Sequence, residues 1–374
     1  MNTSFDILPI EKWFEPFLEK PVIIAGPCSA ESEAQVLSTA NEISKNKKVS
    51  IFRSGIWKPR TRPKSFEGVG EKGLAWLQKV KKETGLLTAT EVATPKHIEL
   101  CIKNEIDVLW IGARTCSNPF SVQELANAAE GADLAIFIKN PINPDLELWI
   151  GAIERFAAKG IKKIGAIHRG FFPFEKTPFR NIPKWEIFIE LKRRFPNLPI
   201  LNDPSHISGS KKYIKEISQK ALDLAADGLM IETHFNPEQA LSDKEQQIKP
   251  KELSDLLSKL TFRKSDIQSI DFTNQLEQFR EQIDSIDLQM LELLSQRMKI
   301  VENIGKYKCE NDVTILQLRR WEKIISSRME TGKNLGLSEE FILKLLQLVH
   351  KESIQKQVEI MKNDNFNKSK IKIY

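Results

Sequence analysis

A thiol, an imidazole and two carboxylates, Cys28, His206, Glu232 and Asp243, form a donor set of mixed softness suited to a divalent transition ion such as Mn, Fe, Co or Zn. A second set is cationic: Arg53, Lys58, Arg60, Arg114, Lys139 and Arg169. Guanidinium forks bind carboxylate and phosphate bidentately and lysine acts as a point charge, so this set implies substrates that carry both anions. Each group taken singly has a plainer reading. A cysteine is commonly an apolar filler, a loop histidine or glutamate is solvated, and most lysines and arginines form surface ion pairs. Chemistry follows only if a fold gathers the two sets.

Such a fold is legible. Short β-rich runs at 22–25, 49–52, 86–90, 108–111, 135–138, 163–167, 199–202 and 228–231 alternate with stretches of helical length and period. Each parallel pair needs a crossover, so this alternation predicts a closed (β/α)8 barrel, with an open doubly wound sheet as the alternative. The residues just past the runs are Cys28, Arg53, Glu91, Arg114, Lys139, Arg169, Asp203 with His206, and Glu232 with His234. A barrel puts them all on its C-terminal rim, where loops converge; an open sheet would not need polar residues at nearly every strand end.

The chain of 374 residues has room for a barrel of about 250 residues and a further module of about 100. The texture changes accordingly. We expect a barrel over 1–260, a polar linker over 261–272, an all-helical domain over 273–362 and a frayed polar tail over 363–374. With 41% apolar and 28% charged residues and no membrane-length apolar run, the chain reads as a soluble protein. Four scattered cysteines and the absence of a basic start followed by an apolar run predict a cytoplasmic address. A net charge of +6, without clustered basic and aromatic residues, argues against nucleic acid as a partner.

The strand-end motifs carry a resemblance. Gly26-Pro27-Cys28-Ser29, Phe52-Arg53, Lys58-Pro59-Arg60-Thr61, Gly112-Ala113-Arg114, His168-Arg169-Gly170, Asp203-Pro204-Ser205-His206 and Ile231-Glu232-Thr233-His234 resemble, in order, the motif series of the 3-deoxy-D-arabino-heptulosonate 7-phosphate (DAHP) synthases. The resemblance implies that Cys28, His206, Glu232 and Asp243 bind the metal. It also implies that Arg53, Lys58, Arg114, Lys139 and Arg169, with the backbone of Gly112 and Ala113, hold phosphoenolpyruvate, while Arg60 and Thr61 help hold erythrose 4-phosphate. The related 3-deoxy-octulosonate 8-phosphate synthases have a loop like Lys-Ala-Asn-Arg after strand 2. Lys-Pro-Arg-Thr here favours the four-carbon aldehyde. The residues leave open whether Glu91 and His168 touch substrate or support its contacts. His234 reads as orienting a ligand; His97, His350, Cys101 and Cys116 read as structural.

Beyond 271 the apolar positions Leu276, Phe279, Ile283, Ile286, Met290, Leu293, Val301 and Ile304 recur at bundle spacing, and two further helices are expected over 315–331 and 338–361. Arg297 and Lys308 are 11 residues apart, about three turns, and share a helix face. Arg280 precedes Arg297 by 17 residues, about 25 Å of helix, so it reaches the same small ligand only from a second chain. This predicts an intertwined homodimer; a dimerisation arm with merely exposed cations is the plainer alternative. The segment resembles the all-helical chorismate mutases through Leu276-x-x-Phe279-Arg280-x-x-Ile283-Asp284-x-x-Asp287, 291–297 and Ile304-Gly305-Lys306-Tyr307-Lys308, with Arg320, Ser353 and Gln357 at matching offsets. It implies that Arg280, Arg297 and Arg320 meet the carboxylates and ring of chorismate, that Lys308 and Gln357 meet its ether oxygen, and that Ser353 binds substrate, without a cofactor. Gln317 and Trp321 depart from the pattern, standing where many relatives carry acids near the ring hydroxyl. With only about 20 residues before the first strand, feedback control is expected to act through the helical domain, with prephenate as the ligand.

Overall fold

The computed structural model describes residues 6–16, 18–58, 66–174, 176–263 and 270–371, except for the side chains of 270–274 and 363–371. The chain divides into two compact units, Met1–Ser265 and Asp266–Tyr374. In the first, β1 (Val22–Gly26), α1 (Glu33–Ser44), β2 (Val49–Arg53), α2 (Lys72–Thr84), β3 (Leu87–Val92) and α3 (Pro95–Lys103) set the alternation. It continues through β4 (Val108–Ile111), the short α4 (Ala113–Cys116), α5 (Pro119–Ala129), β5 (Ala135–Lys139), α6 (Leu146–Ala157), β6 (Lys163–His168) and α7 (Trp185–Arg194). It ends with β7 (Ile200–Asn202), the one-turn α8 (Pro204–Ser208), α9 (Ile214–Asp223), β8 (Gly228–Glu232) and α10 (Pro250–Lys259). The eight strands form a closed barrel in sequence order, with β1 pairing in parallel with both β2 and β8. This is the closed barrel expected from the alternation, and the open-sheet alternative is excluded.

The alternation of side chains along each strand divides the core in two. One set, including Ile23, Ala25, Phe52, Leu109 and Ile138, packs against the helices. The other, Val22, Ile24, Ile51, Val108, Trp110, Phe137, Ile167 and Met230, fills the barrel. The N-terminal segment joins this inner set through Ile10, Trp13 and Leu18, with the Trp13 ring 5.0 Å from that of Phe137. Sequence periodicity gave no sign of this plug, because it has too few residues to show a period.

Strand ends run slightly further than their apolar patterns. Arg53, Lys139, His168 and Glu232 are the last residues of their strands, and Glu91 the last but one, rather than residues just beyond them. Backbone pairing carries on where polar side chains begin. Gly26, at the end of β1, has φ +148°, and a Cβ there would lie 2.1 Å from the carbonyl oxygen of Arg53. Gly26→Ala is therefore expected to force β1 and β2 apart, destabilising the barrel by about 3 kcal/mol. The check is a fall in melting temperature on the order of 5–10 °C.

The second unit consists of α11 (Ile270–Glu310), α12 (Leu318–Asn334) and α13 (Glu339–Ile371). Gly305 and Gly332 allow close approach of helices: added Cβ atoms would lie 3.1 Å from Gln357 Cγ and 2.5 Å from Ile342 Cδ1. Helix α13 continues to Ile371, through most of the segment expected as a frayed tail, which has no proline or glycine to stop it. Among the described residues no helix is long and apolar enough to cross a membrane.

Candidate active sites

At the C-terminal mouth of the barrel, single ligand atoms of Cys28, Glu232 and Asp243 lie within 4.8 Å of one another. Cys28 Sγ is 3.4 Å from Asp243 Oδ2, and His206 Nε2 is 3.8 Å from Glu232 Oε1. Metal bonds of about 2.0–2.3 Å place neighbouring donors roughly 3–4.6 Å apart, so this spacing fits a single ion. Glu232 Oε1 is buried and accepts no hydrogen bond, although a guanidinium nitrogen of Arg53 is 3.2 Å away. Burial first, then Glu232, pushes the Cys28 thiol up to about 12. A dication among these donors is the kind of partner that would make the thiolate favourable.

Local structure aims each donor. The register pairs Gly26 of β1 with Glu232 of β8, bringing Cys28 beside Glu232 despite their distance in sequence. His206 sits on α8, where Asp203 is the N-cap and accepts from the His206 backbone N–H at 3.0 Å. The other Asp203 oxygen lies 2.8 Å from His206 Nδ1 and accepts from Lys139 Nζ at 2.8 Å. Burial opposes the Asp203 charge, but His206 and Lys139 hold it well below the usual carboxylate range. Burial pushes His206 down despite Asp203, favouring the neutral ring that ligates metals. Asp243 has φ +46°, a left-handed conformation that aspartate tolerates better than most residues, and Arg180 donates to its Oδ1 at 3.0 Å.

The cations surround this cluster. Arg53 is 1% exposed; its Nη2 donates to Cys28 O, its guanidinium lies 4.7 Å from the Trp110 ring, and its Nε and Nη1 are buried without partners. Lys58 Nζ donates to the oxygen and sulfur of Cys28 at 3.0 and 3.2 Å. Burial works against its charge, but Cys28, Glu91 and Glu232 outweigh that and hold the ammonium above its ordinary range. Burial lowers Lys139 even against Asp203 and lowers Arg169 to about 10. Arg169 donates to Asn181 Oδ1 at 2.8 Å, and Asn181 donates to His206 O at 2.6 Å. Gly112 caps α4, and a Cβ there would lie 2.2 Å from Glu91 Oε1, so glycine is what lets this carboxylate approach the backbone of Gly112 and Ala113. Arg114 is exposed at the same turn. Arg60 and Thr61 lie outside the described residues.

Several supporting residues escaped the sequence reading. Gln246 donates to Glu232 Oε2 at 2.7 Å, Gln247 accepts from the Cys28 N–H at 3.0 Å, and Arg180 links Asp243 to Gln246. Only Asp203 has a local signal of capping, an aspartate directly before Pro204 at the first helical position. His168 packs between Phe171, Trp185 and Phe188, with Nε2 2.5 Å from Pro183 O and Nδ1 3.0 Å from Asn202 Nδ2. Its contacts mark it as structural support. Asp203→Asn, which removes a charge shared by His206 and Lys139, is expected to weaken Mn²⁺ affinity about 10- to 100-fold, as measured by competition with a chelating dye.

In the helical unit, Arg297 donates to Ser353 Oγ at 2.6 Å and Lys308 donates to Ile315 O at 2.6 Å. Ser353 and Gln357 are buried on α13. Burial lowers both Arg297 and Lys308. Arg320 is exposed in the first turn of α12. Arg280 is exposed and pairs with Glu277 within its own helix, so one chain gathers Arg297, Ser353 and Gln357 but leaves Arg280 outward.

Comparison with known proteins agrees with both halves. Residues 18–269 match the DAHP synthetase I family and residues 279–358 match chorismate mutase type II. The chain is 33% identical over 226 residues to phospho-2-dehydro-3-deoxyheptonate aldolase of Thermotoga maritima, covering 60% of this chain and 64%, just under two thirds, of the relative. It is 28% identical over 254 residues to 2-dehydro-3-deoxyphosphooctonate aldolase of Legionella pneumophila strain Paris, covering 62% and 87%. Among solved structures, the crystal structure of the Thermotoga maritima DAHP synthase aligns with a TM-score of 0.58 and 32% identity over 63% of this chain and 67% of that one. Its truncated form aligns at 0.55 and 29%, covering 63% and 84%. The chain belongs to the DAHP synthetase I family and carries, C-terminal to its barrel in sequence, helices that match the type II chorismate mutases.

Proposed function

We propose that this chain is a bifunctional enzyme of aromatic biosynthesis. Its barrel condenses phosphoenolpyruvate, erythrose 4-phosphate and water to DAHP and phosphate, and its helical unit rearranges chorismate to prephenate. The observation that carries the first activity is the closeness of Cys28, Glu232 and Asp243 at the barrel mouth, with His206 Nε2 3.8 Å from Glu232 and the buried cations Arg53 and Lys139 among the surrounding groups. Cys28, His206, Glu232 and Asp243 would hold a divalent ion, Mn, Fe, Co or Zn, which would supply Lewis acidity for an aldehyde oxygen. Arg53, with two unpartnered buried nitrogens, Lys139 and Arg169 neutralise the anions of phosphoenolpyruvate, aided by Arg114 and the backbone of Gly112 and Ala113. Lys58, beside Cys28, keeps a proton where charge grows on the aldehyde oxygen as its carbon bonds to C3 of the enol phosphate. Water then adds at C2 and phosphate departs. Arg60 and Thr61 complete the reading as contacts of the sugar phosphate.

In the helical unit no cofactor is needed. Arg297, Arg320 and Ser353 confine the dianion, while Lys308 and Gln357 stabilise charge on the breaking ether bond. Arg280 belongs to this site only across a homodimer. The outward face of α11 supports such a partner, since Phe279, Ile283, Ile286, Met290 and Leu293 follow one helical stripe and each is at least 45% exposed. Control by prephenate through the same cations, and a cytoplasmic setting for the free thiols, belong to this reading. The test follows DAHP formation with Mn²⁺, with and without chelator, and separately the loss of chorismate. Arabinose 5-phosphate in place of erythrose 4-phosphate tests the octulosonate alternative; equal rates would remove the assignment of the four-carbon sugar.

A further inference from the structure

On α13, His350, Ser353 and Gln357 lie at offsets of three and seven residues and so share one face. Ser353 engages Arg297, and Gln357 Oε1 is buried without a hydrogen-bond partner. One turn before Ser353, the His350 ring lies flat on the indole of Trp321, with centroids 3.8 Å apart and planes at 11°. The Nε2 atom of His350 is buried and, like Gln357 Oε1, has no partner. Burial foremost, then the charges of Arg297 and Lys308, holds this imidazole below its ordinary range, which favours the neutral ring.

Two orphaned polar atoms on one face, beside a serine already bound to an arginine, are what a polar ligand would satisfy. Trp321 stands where relatives carry an acid toward the ring hydroxyl, and an indole cannot accept a hydrogen bond. Its flat contact with His350 fixes a different polar group at the same junction of α12 and α13. We propose that His350 hydrogen-bonds the ring hydroxyl of chorismate through Nε2, with Trp321 as the platform that aims it. The proposal rests on the mutase reading of the helical unit and adds a contact that reading lacks. It gives His350 a role in place of the structural one expected from the sequence.

The experiment compares the full-length protein with His350→Phe and His350→Gln, on chorismate and on an analogue with hydrogen in place of the ring hydroxyl. Phenylalanine preserves a stacking ring and removes the nitrogen. It is expected to lower kcat/KM for chorismate about tenfold, chiefly through KM, while changing that for the analogue less than about twofold. Glutamine, retaining donor and acceptor, should recover part of the loss. Equal losses on both substrates, or no loss on either, would overturn the proposal while leaving the mutase reading intact. If wild type binds prephenate without converting chorismate, the same comparison is made in affinity for prephenate and its deoxy analogue. Wild type that neither converts chorismate nor binds prephenate overturns both readings.

Discussion

Cys28→Ser is expected to lower DAHP formation at least a hundredfold, with a parallel loss of metal affinity. The substitution is nearly isosteric at a fully buried position, so the barrel should still fold. Its chemistry is not conservative. A thiolate binds borderline ions strongly, whereas a serine hydroxyl stays protonated near neutral pH and is a poor ligand. Removing a group that merely orients a ligand already weakens a metal site by about 10- to 100-fold, so loss of a ligand should exceed that. Lys58 also loses its sulfur contact, which disturbs the proton donor next to the ion site. Rates measured over a Mn²⁺ titration and metal content after dialysis check the result. Activity within threefold of wild type at limiting metal would remove Cys28 from the ligand set.

The barrel was readable because its two signals are local. Each strand is a short apolar run, and each carries its polar residue at the same end, so eight runs indicated a common rim before any contact was known. What the sequence could not convey is how one rim residue holds another. Asp203 is legible as a residue at a strand end, yet its second oxygen ties His206 to Lys139, a residue 64 positions away. Asp243 carries no signature of its left-handed backbone, and Gln246 and Gln247 look like loop polarity until the fold turns them onto Glu232 and Cys28. In the helical unit, periodicity gives the helices, but the face shared by Trp321 and His350 arises only when α12 and α13 pack. The loop bearing Arg60 and Thr61, on which the choice between four- and five-carbon sugars turns, lies outside the described residues, and that choice rests on the motif.

Lys308→Ala is expected to reduce mutase kcat about 10²- to 10³-fold with little change in DAHP formation. A pericyclic rearrangement offers the protein no nucleophile or proton transfer to assist, which leaves confinement of the reactive conformer and stabilisation of charge on the departing ether oxygen. Lys308 suits the second task. It projects from α11 three turns beyond Arg297, is half-buried, and holds its ammonium by donating to the Ile315 carbonyl at 2.6 Å. Burial lowers its pKa, but the two carboxylates of chorismate would favour the charged form again. Arg297→Ala should differ in kind: it removes a group that meets ground state and transition state alike, so KM should rise more than kcat falls. Because Lys308 lies in the unit beyond Ser265, DAHP synthesis by the same preparation serves as an internal control for folding. Unchanged chorismate turnover in Lys308→Ala would leave the helical unit as a binding and dimerisation element and would remove the second half of the proposed function.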